Sequence, residues 1–338
     1  MNIESRIRNQ IKNSKSNRKF KTESINMTHS VNKRKQRGRV KEILNKRIKA
    51  IERLSKKNGK ESQNVHLPNV ALGDLRQRFS PRHKELHSAV RRMTPKFKRY
   101  PSDPSKPLEV YGSDGGLLVV RVHLDNVEMM KELAQAVKDL PRGKNREFKG
   151  IKRSDYLTAH LGCWAAYSKE CMVSKELREL GVPGLEFLEK HQHIWGEMSR
   201  VLGQYVPGVF KKLQLYELNE PCKRFCGAWT MCAVNNGGDD ATETKAHRDV
   251  KEYKKGYSCI ISCGDYSGGA LVLFELGIVV EMKAGDIILF PDSLITHCNE
   301  KAEGNRISIV SFTQKNVYDY WARKYNMEVK KKGKKNSI

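Results

Sequence analysis

The second half of this 338-residue chain contains seven short β-rich runs separated by Gly, Asn and Asp. Short strands at such close spacing are typical of an antiparallel sandwich or jelly roll rather than of a parallel sheet. This pattern is the strongest constraint on the fold. The runs are Gln214–Glu217, Ala228–Val234, Tyr257–Ser262, Ala270–Glu275, Ile278–Met282, Ile287–Phe290 and Ile307–Thr313.

A strand-like run and several helical patterns precede these strands. After the run Leu117–Leu124, Asp125 is expected to cap a helix that ends near Leu140. Its apolar face would consist of Val127, Met130, Leu133, Ala134 and Val137. Helices placed before the strands would support one face of a sheet, so the predicted class is α+β, a double-stranded β-helix (jelly roll) buttressed by helices.

Two further helices are predicted at Ser154–Tyr167 and Leu185–Tyr205. The second contains His191 and His193, which would point to different sides of a helix. We therefore interpret these two histidines as packing or surface residues and not as a metal-binding pair.

The positive charge of the chain is concentrated at its ends. The formal net charge is +26, yet residues 1–60 alone contain 20 Lys and Arg against 4 Asp and Glu, and Lys330–Lys335 adds five lysines. A nearly balanced body with basic ends points to an acidic polymer as partner, most commonly nucleic acid. A solvated tail or a nuclear-import signal explains the charge equally well. Nuclear location, if the chain is eukaryotic, is predicted from the clusters Lys33–Arg39 and Lys330–Lys335 alone. The candidate phosphate contacts are Lys33, Arg34, Lys35, Arg37 and Arg39.

Composition divides the chain into four parts. Residues 1–60 are basic and poor in aromatics, which predicts disorder apart from a basic amphipathic helix at Val40–Leu54. Residues 61–110 contain six prolines and are predicted to be an irregular linker. We expect a folded domain at 111–325, with helical support at 125–213 and a jelly-roll core at 214–315, followed by a disordered basic tail at 326–338.

Two classes of protein receive no support from the sequence. It has no run of 18 apolar residues and no apolar signal-peptide core, so neither a membrane span nor secretion is predicted. Its eight cysteines form no C-x-x-C pair. We therefore expect free thiols in a reducing, intracellular compartment and no structural zinc site.

Three residues have the types and spacing of a metal centre. In an extended strand, His247 and Asp249 project from the same face, while Arg248 points away. His297 follows 48 residues after Asp249, beyond four strand-like runs that a jelly roll would fold back on themselves. Two histidines and one carboxylate on one face of an ion are associated with non-haem Fe(II) oxygenases.

A second pair lies nine residues after His297, where Arg306 and Ser308 share one face of a strand. The guanidinium makes paired, charge-assisted hydrogen bonds to a carboxylate, and a hydroxyl beside it adds another. Because the surrounding strand is apolar, an unpaired Arg306 would be costly and should have an anionic partner. The pair is a candidate clamp for the distal carboxylate of 2-oxoglutarate.

This H-x-D…H…R-x-S order across residues 214–315 resembles the 2-oxoglutarate/Fe(II) dioxygenases. Ala233-Val234-Asn235, Gly256-Tyr257, Gly268-Gly269-Ala270 and Gly285-Asp286 look like the TET/JBP group, in particular its compact, transposon-linked branch in fungi and algae. The chain lacks the cysteine-rich zinc module of the large animal TET enzymes.

The resemblance implies which residues bind the cofactors. It implies Fe(II) on His247, Asp249 and His297, which would be the catalytic residues, and O₂ as co-substrate, with ascorbate as reductant in vitro. It also implies 2-oxoglutarate on Arg306, Ser308 and Asn235.

Three hypotheses for the function follow. The first is oxidation of 5-methylcytosine, or of the thymine methyl group, to the hydroxymethyl base in DNA, with the target base flipped out. Trp229, Phe225 and Tyr257 are either stacking residues for that base or, more simply, core aromatics.

The second hypothesis is a 2-oxoglutarate-dependent prolyl or lysyl hydroxylase or a nucleic-acid N-demethylase. The third is a binding module without catalysis.

Overall fold

Two large sheets, a small two-stranded sheet and a layer of helices form the structure. It is a computed structural model that describes residues 64–75, 83–141, 157–165, 170–214, 222, 224–236 and 243–323. The larger sheet has nine strands. In spatial order they are β1 (Asn64–Leu67), β3 (Leu108–Gly112), β4 (Leu117–His123), β12 (Asp286–Phe290), β8 (Ser258–Cys263), β15 (Ile307–Phe312), β7 (Met231–Asn236), β5 (Leu157–Trp164) and β6 (Met172–Val173).

The second sheet has four strands, and two more strands form a separate two-stranded sheet. The four are β13 (His297–Asn299), β10 (Leu271–Leu273), β11 (Ile278–Val280) and β2 (Lys98–Tyr100), and the pair is β14 (Ala302–Gly304) with β9 (Tyr266–Gly268). All neighbouring strands run antiparallel except β1 with β3 and β11 with β2.

Seven α-helices with described bounds precede most of these strands. They are α1 (Leu72–Leu75), α2 (His83–Met93), α3 (Val127–Asp139), α4 (Lys175–Leu180), α5 (Val182–Lys190), α6 (Gln192–Tyr205) and α7 (Pro207–Gln214). Residues 315–323 are also helical, and 3-10 turns occupy Thr94–Lys96 and Phe274–Leu276.

The nine-stranded sheet buries both of its faces, because successive side chains of a strand point to opposite sides. One face packs against the helices: Ile261 and Ile309 share a core with Leu133 and Trp195. The opposite face packs against the four-stranded sheet, through residues that include Ile288, Phe290, Leu271 and Ile278. Each fully buried large apolar side chain contributes about 1.5–3 kcal/mol, so the central sheet is stabilised from both sides.

The α+β class is confirmed, and several predicted elements lie where expected. β4, β8, β12 and β15 match predicted runs to within a few residues, and α3 matches its predicted helix. The start of that helix differs, because the capping side chain is Asn126, which accepts a 3.0 Å hydrogen bond from the backbone N–H of Met129. Val127 is 61% exposed and does not belong to the buried face.

The predicted helix at Ser154–Tyr167 is wrong, because residues 157–164 form strand β5. β5 pairs with β7 over Leu157–Gly162, and these interstrand hydrogen bonds override a weak helical pattern. Gly162 fits the close approach of the two backbones: it has a φ of +128°, and an added Cβ would lie 2.4 Å from the carbonyl oxygen of Thr230.

Two neighbouring predictions also need correction. The single helix predicted at Leu185–Tyr205 is broken at His191, which separates α5 from α6 and bonds through Nδ1 to the carbonyl oxygen of Phe187 at 2.7 Å. The strand predicted at Gln214–Glu217 is not formed at Gln214, the last residue of α7. The remainder of that run lies outside the described residues.

The interpretation of residues 61–110 as an irregular linker is wrong for most of their described part. β1, α1, α2, β2 and the start of β3 lie in this segment, and Leu67 and Val110 are fully buried in the core between the sheets. The described prolines of this segment stand outside the strands, so they mark connections between ordered elements and not one long loop.

Several predictions concern residues outside the described ones. They are the disordered region 1–60 with its helix at Val40–Leu54, the basic residues Lys33, Arg34, Lys35, Arg37 and Arg39, and the tail 326–338. Nuclear location, which depends on these clusters, stays a prediction. Within the described ranges, no helix is both long and apolar enough to cross a membrane.

Candidate functional site

His247, Asp249 and His297 come together in the structure although 48 residues separate the last two. The Nε2 atoms of both histidines lie 3.6 Å from Oδ2 of Asp249. The two imidazole rings are 4.4 Å apart between centroids. Three ligand atoms therefore converge on one point, as the sequence pattern predicts.

Backbone pairing explains why the two histidines meet. The N–H of His247 donates to the carbonyl oxygen of His297 at 3.0 Å, and the N–H of His297 donates back at 2.9 Å. The backbone N–H of Asp249 donates to the carbonyl oxygen of Asp292 at 3.2 Å. The imidazole of His297 lies against the ring of Phe290 in β12 of the nine-stranded sheet, with 5.1 Å between centroids and an interplanar angle of 79°.

Both imidazoles present Nε2 to the centre because Nδ1 is already hydrogen-bonded. Nδ1 of His247 lies 2.7 Å from the carbonyl oxygen of Lys245, and Nδ1 of His297 lies 3.0 Å from that of Ile295. A carbonyl oxygen only accepts, so each Nδ1 carries a proton and donates it. This leaves Nε2 as the ring nitrogen that faces Asp249 and would bind a metal.

Two further carboxyl groups lie behind Asp249. Burial, together with the charges of Asp292 and Asp249, raises the pKa of Glu252 well above its ordinary value. Burial and the Asp249 carboxylate likewise raise the pKa of Asp292 to about 7. Burial also opposes ionisation of Asp249 itself, but the imidazoles of His247 and His297 outweigh it and hold its pKa well below the usual range. Asp249 is thus the ionised member of the group.

A row of polar side chains crosses the face of the nine-stranded sheet that lies opposite the helices. Ser308 of β15 stands beside Asn235 of β7 and Ser262 of β8, and Thr158 of β5 stands beyond Asn235. The amide nitrogen of Asn235 donates to Oγ of Ser308 at 3.3 Å, and the Thr158 hydroxyl donates to its amide oxygen at 2.9 Å. The neighbours Ile307 and Ile309 point into the helical core.

Arg306 is the residue before strand β15 and is 8% exposed. Its guanidinium lies over the ring of Tyr266, 5.7 Å from the centroid. Within the described residues, its Nε has no hydrogen-bond partner, and Arg306 takes part in no ion pair. Burial of a guanidinium without an anionic partner costs free energy, so Arg306 has the properties of an anion-binding residue.

Gly269 makes room for that arginine. A Cβ at position 269 would lie 2.7 Å from Cδ and 2.9 Å from Nε of Arg306, and the φ of +67° also favours glycine. Sequence reasoning noted the Gly-Gly pair without this role. It missed Tyr266 and Thr158 as well, the latter because its strand was interpreted as a helix.

The aromatic residues considered as stacking groups belong to the core. Trp229, Phe225 and Tyr257 are buried with the helices, and Nε1 of Trp229 donates to the carbonyl oxygen of Tyr257 at 2.8 Å. Their interpretation as core aromatics is confirmed.

Comparison with known proteins supports the fold. No protein-family model matches the chain. The structure is similar to that of NgTET1 in complex with 5mC DNA, with a TM-score of 0.50 at 15% identity over 70% of this chain and 93% of that one. A 2OG-Fe(II) oxygenase family protein from Burkholderia pseudomallei matches at 12% identity over 74% of this chain and 93% of that one, with a TM-score of 0.34.

One curated protein matches in sequence. A segment of 67 residues is 36% identical to a PKHD-type hydroxylase from Gluconacetobacter diazotrophicus, and it spans 19% of this chain and 30% of that protein. The chain thus covers less than a third of the relative it matches.

The chain shares its fold with NgTET1, in line with the TET-like resemblance of the sequence motifs. The converging residues His247, Asp249 and His297 are of the types that non-haem Fe(II) oxygenases use to bind iron.

Proposed function

We propose that the chain is an Fe(II)- and 2-oxoglutarate-dependent dioxygenase whose two facing sheets form a double-stranded β-helix. The observation that supports this most is the convergence of His247, Asp249 and His297, with both Nε2 atoms 3.6 Å from one carboxylate oxygen. Two imidazole Nε2 atoms beside an ionised carboxylate are a donor set that fits Fe(II). The bound metal would supply O₂ activation and oxidation of a C–H bond.

The other cofactor would bind on the polar face of the nine-stranded sheet. Arg306 and Ser308 would bind the distal carboxylate of 2-oxoglutarate, which gives the buried guanidinium its anionic partner. Asn235, oriented by Thr158, would complete the row. The facing sheet and these buried walls would exclude water from the reaction.

The substrate we propose is the methyl group of 5-methylcytosine, or of thymine, in DNA. Two observations support it: the likeness to NgTET1, whose structure is a complex with 5mC DNA, and the basic ends of the chain. The base would be flipped out of the duplex into the site, while basic residues such as Lys33, Arg34, Lys35, Arg37 and Arg39 hold phosphates.

Nucleoside mass spectrometry tests this substrate. The chain is incubated with Fe(II), 2-oxoglutarate and ascorbate on two duplexes of one sequence, one of them methylated at cytosine. From the methylated duplex we expect a nucleoside that is one oxygen atom heavier than 5-methyl-2′-deoxycytidine. The Asp249→Ala variant should yield no such product. Absence of any oxidised base from both duplexes would contradict the DNA assignment.

A protein hydroxylase is the second candidate, and the sequence match to a PKHD-type hydroxylase favours it. Nucleic-acid N-demethylation remains the other alternative within the same chemistry. Peptide and methylated RNA libraries, assayed alongside the duplexes, separate these substrates because each yields a different oxidised product. Oxidation of a peptide with no oxidised base would support the protein hydroxylase.

A further inference from the structure

Arg248, which lies between the two metal-binding candidates His247 and Asp249, has a buried ionic partner. It is 6% exposed, and its guanidinium forms an ion pair with Glu275, which is also 6% exposed. His247 joins His297 of β13 through an isolated bridge, and residues 247–249 are not part of a strand. The Arg248 side chain reaches from this segment to Glu275 in the turn Phe274–Leu276.

Thr296, the residue before His297, joins the same group. It is fully buried, its hydroxyl accepts from Nε of Arg248 at 3.1 Å, and it donates to Oε1 of Glu275 at 2.7 Å. The backbone N–H of Thr296 donates to the second oxygen of Glu275. One carboxylate thus binds a neighbour of every candidate ligand.

We propose that Glu275 is a positioning residue for the metal centre, an inference that rests on the proposed function. From the turn Phe274–Leu276 it fixes Arg248 and Thr296, and through them the two chain segments that present His247, Asp249 and His297. Groups that orient metal ligands from behind typically change metal affinity about 10–100-fold when they are removed.

A purely structural ion pair is the competing explanation. Buried ion pairs contribute little net stability relative to apolar groups of similar volume, so a role in stability alone explains this one poorly. The two explanations differ in what happens to the metal. A positioning role predicts a change in coordination, whereas a structural role predicts a change in folding stability only.

Thr296→Val tests the proposal, because it removes the bridging hydroxyl and retains the shape and the backbone N–H. Thr230→Val is a matched control: Thr230 is 1% exposed, and its hydroxyl has no hydrogen-bond partner within the described residues. Co²⁺ affinity is measured on the full chain by competition with a chromogenic chelator. The visible spectrum of bound Co²⁺ reports its coordination, and urea unfolding without metal reports stability.

We expect Thr296→Val to weaken Co²⁺ binding about tenfold or more and to alter the Co²⁺ spectrum, while Thr230→Val leaves both unchanged. Glu275→Gln should weaken binding further, and Thr296→Val decides the question if Glu275→Gln does not fold. Unchanged affinity and spectrum in Thr296→Val would overturn the inference, as would an equal loss in Thr230→Val. A parent chain that binds no Co²⁺ would instead overturn the proposed metal centre itself.

Discussion

His247 and His297 are joined by a reciprocal pair of backbone hydrogen bonds, of 3.0 and 2.9 Å, directly beneath the imidazoles that converge on Asp249. The two chain segments are therefore held together by their own backbones. An ion at this point binds a site that folding has already assembled, so its binding energy adds to the stability of the folded state.

Metal should consequently stabilise the chain. Adding Mn²⁺ at about 100 times its dissociation constant should increase the free energy of unfolding by about 2.7 kcal/mol. Thermal or urea unfolding measures this effect. Asp249→Ala should lose most of it, whereas Asp265→Ala, which removes an exposed carboxylate, should respond like the parent. Equal stabilisation of the parent and Asp249→Ala would contradict the assignment of Asp249 as a ligand.

Arg306→Ala should raise the KM for 2-oxoglutarate about 10–100-fold, because a hydrogen-bonded charged contact contributes about 1.5–3 kcal/mol. Initial rates of succinate formation at varied 2-oxoglutarate provide the measurement. Arg99→Ala is the control, since Arg99 is an exposed residue whose side chain pairs with Glu300 at 2.8 Å. An unchanged KM in Arg306→Ala would assign the carboxylate clamp to another residue.

Gly269→Ala should damage the same site indirectly. Its Cβ would meet the Arg306 side chain at 2.7 Å and displace it, so the KM for 2-oxoglutarate should rise. Gly115→Ala is a matched control, because Gly115 has a similar φ of +72° and no atom within 4 Å of an added Cβ. Both variants should lose about 1–2 kcal/mol of stability through backbone strain. If Gly115→Ala raised the KM equally, displacement of Arg306 would not be the cause.

Asn126→Ala should destabilise the chain by about 1 kcal/mol, because it removes the side-chain cap of α3. Asp125→Ala should change the free energy of unfolding by much less, since Asp125 is exposed and does not cap this helix. Urea unfolding of the two variants distinguishes the neighbours. A larger loss in Asp125→Ala would contradict the observed cap.

The sequence was most informative where local pattern and long-range pairing agree. The i, i+2 spacing of His247 and Asp249 and the return to His297 predict the converging triad, although His247 makes an isolated bridge to His297 and not the expected strand. The β5 segment was misinterpreted because its conformation depends on pairing with β7, 60 or more residues later, and not on its own periodicity. Glu275 and Thr296 were missed for a similar reason, since only the folded chain brings them to Arg248.

The central claim is that His247, Asp249 and His297 bind the iron of a 2-oxoglutarate-dependent enzyme, and succinate release tests it most directly. The parent chain should convert 2-oxoglutarate to succinate only when Fe(II) is present. Asp249→Ala and His297→Ala should each abolish the conversion, while the exposed-site variant Asp265→Ala retains it. Succinate formation that survives in both ligand variants would contradict the account.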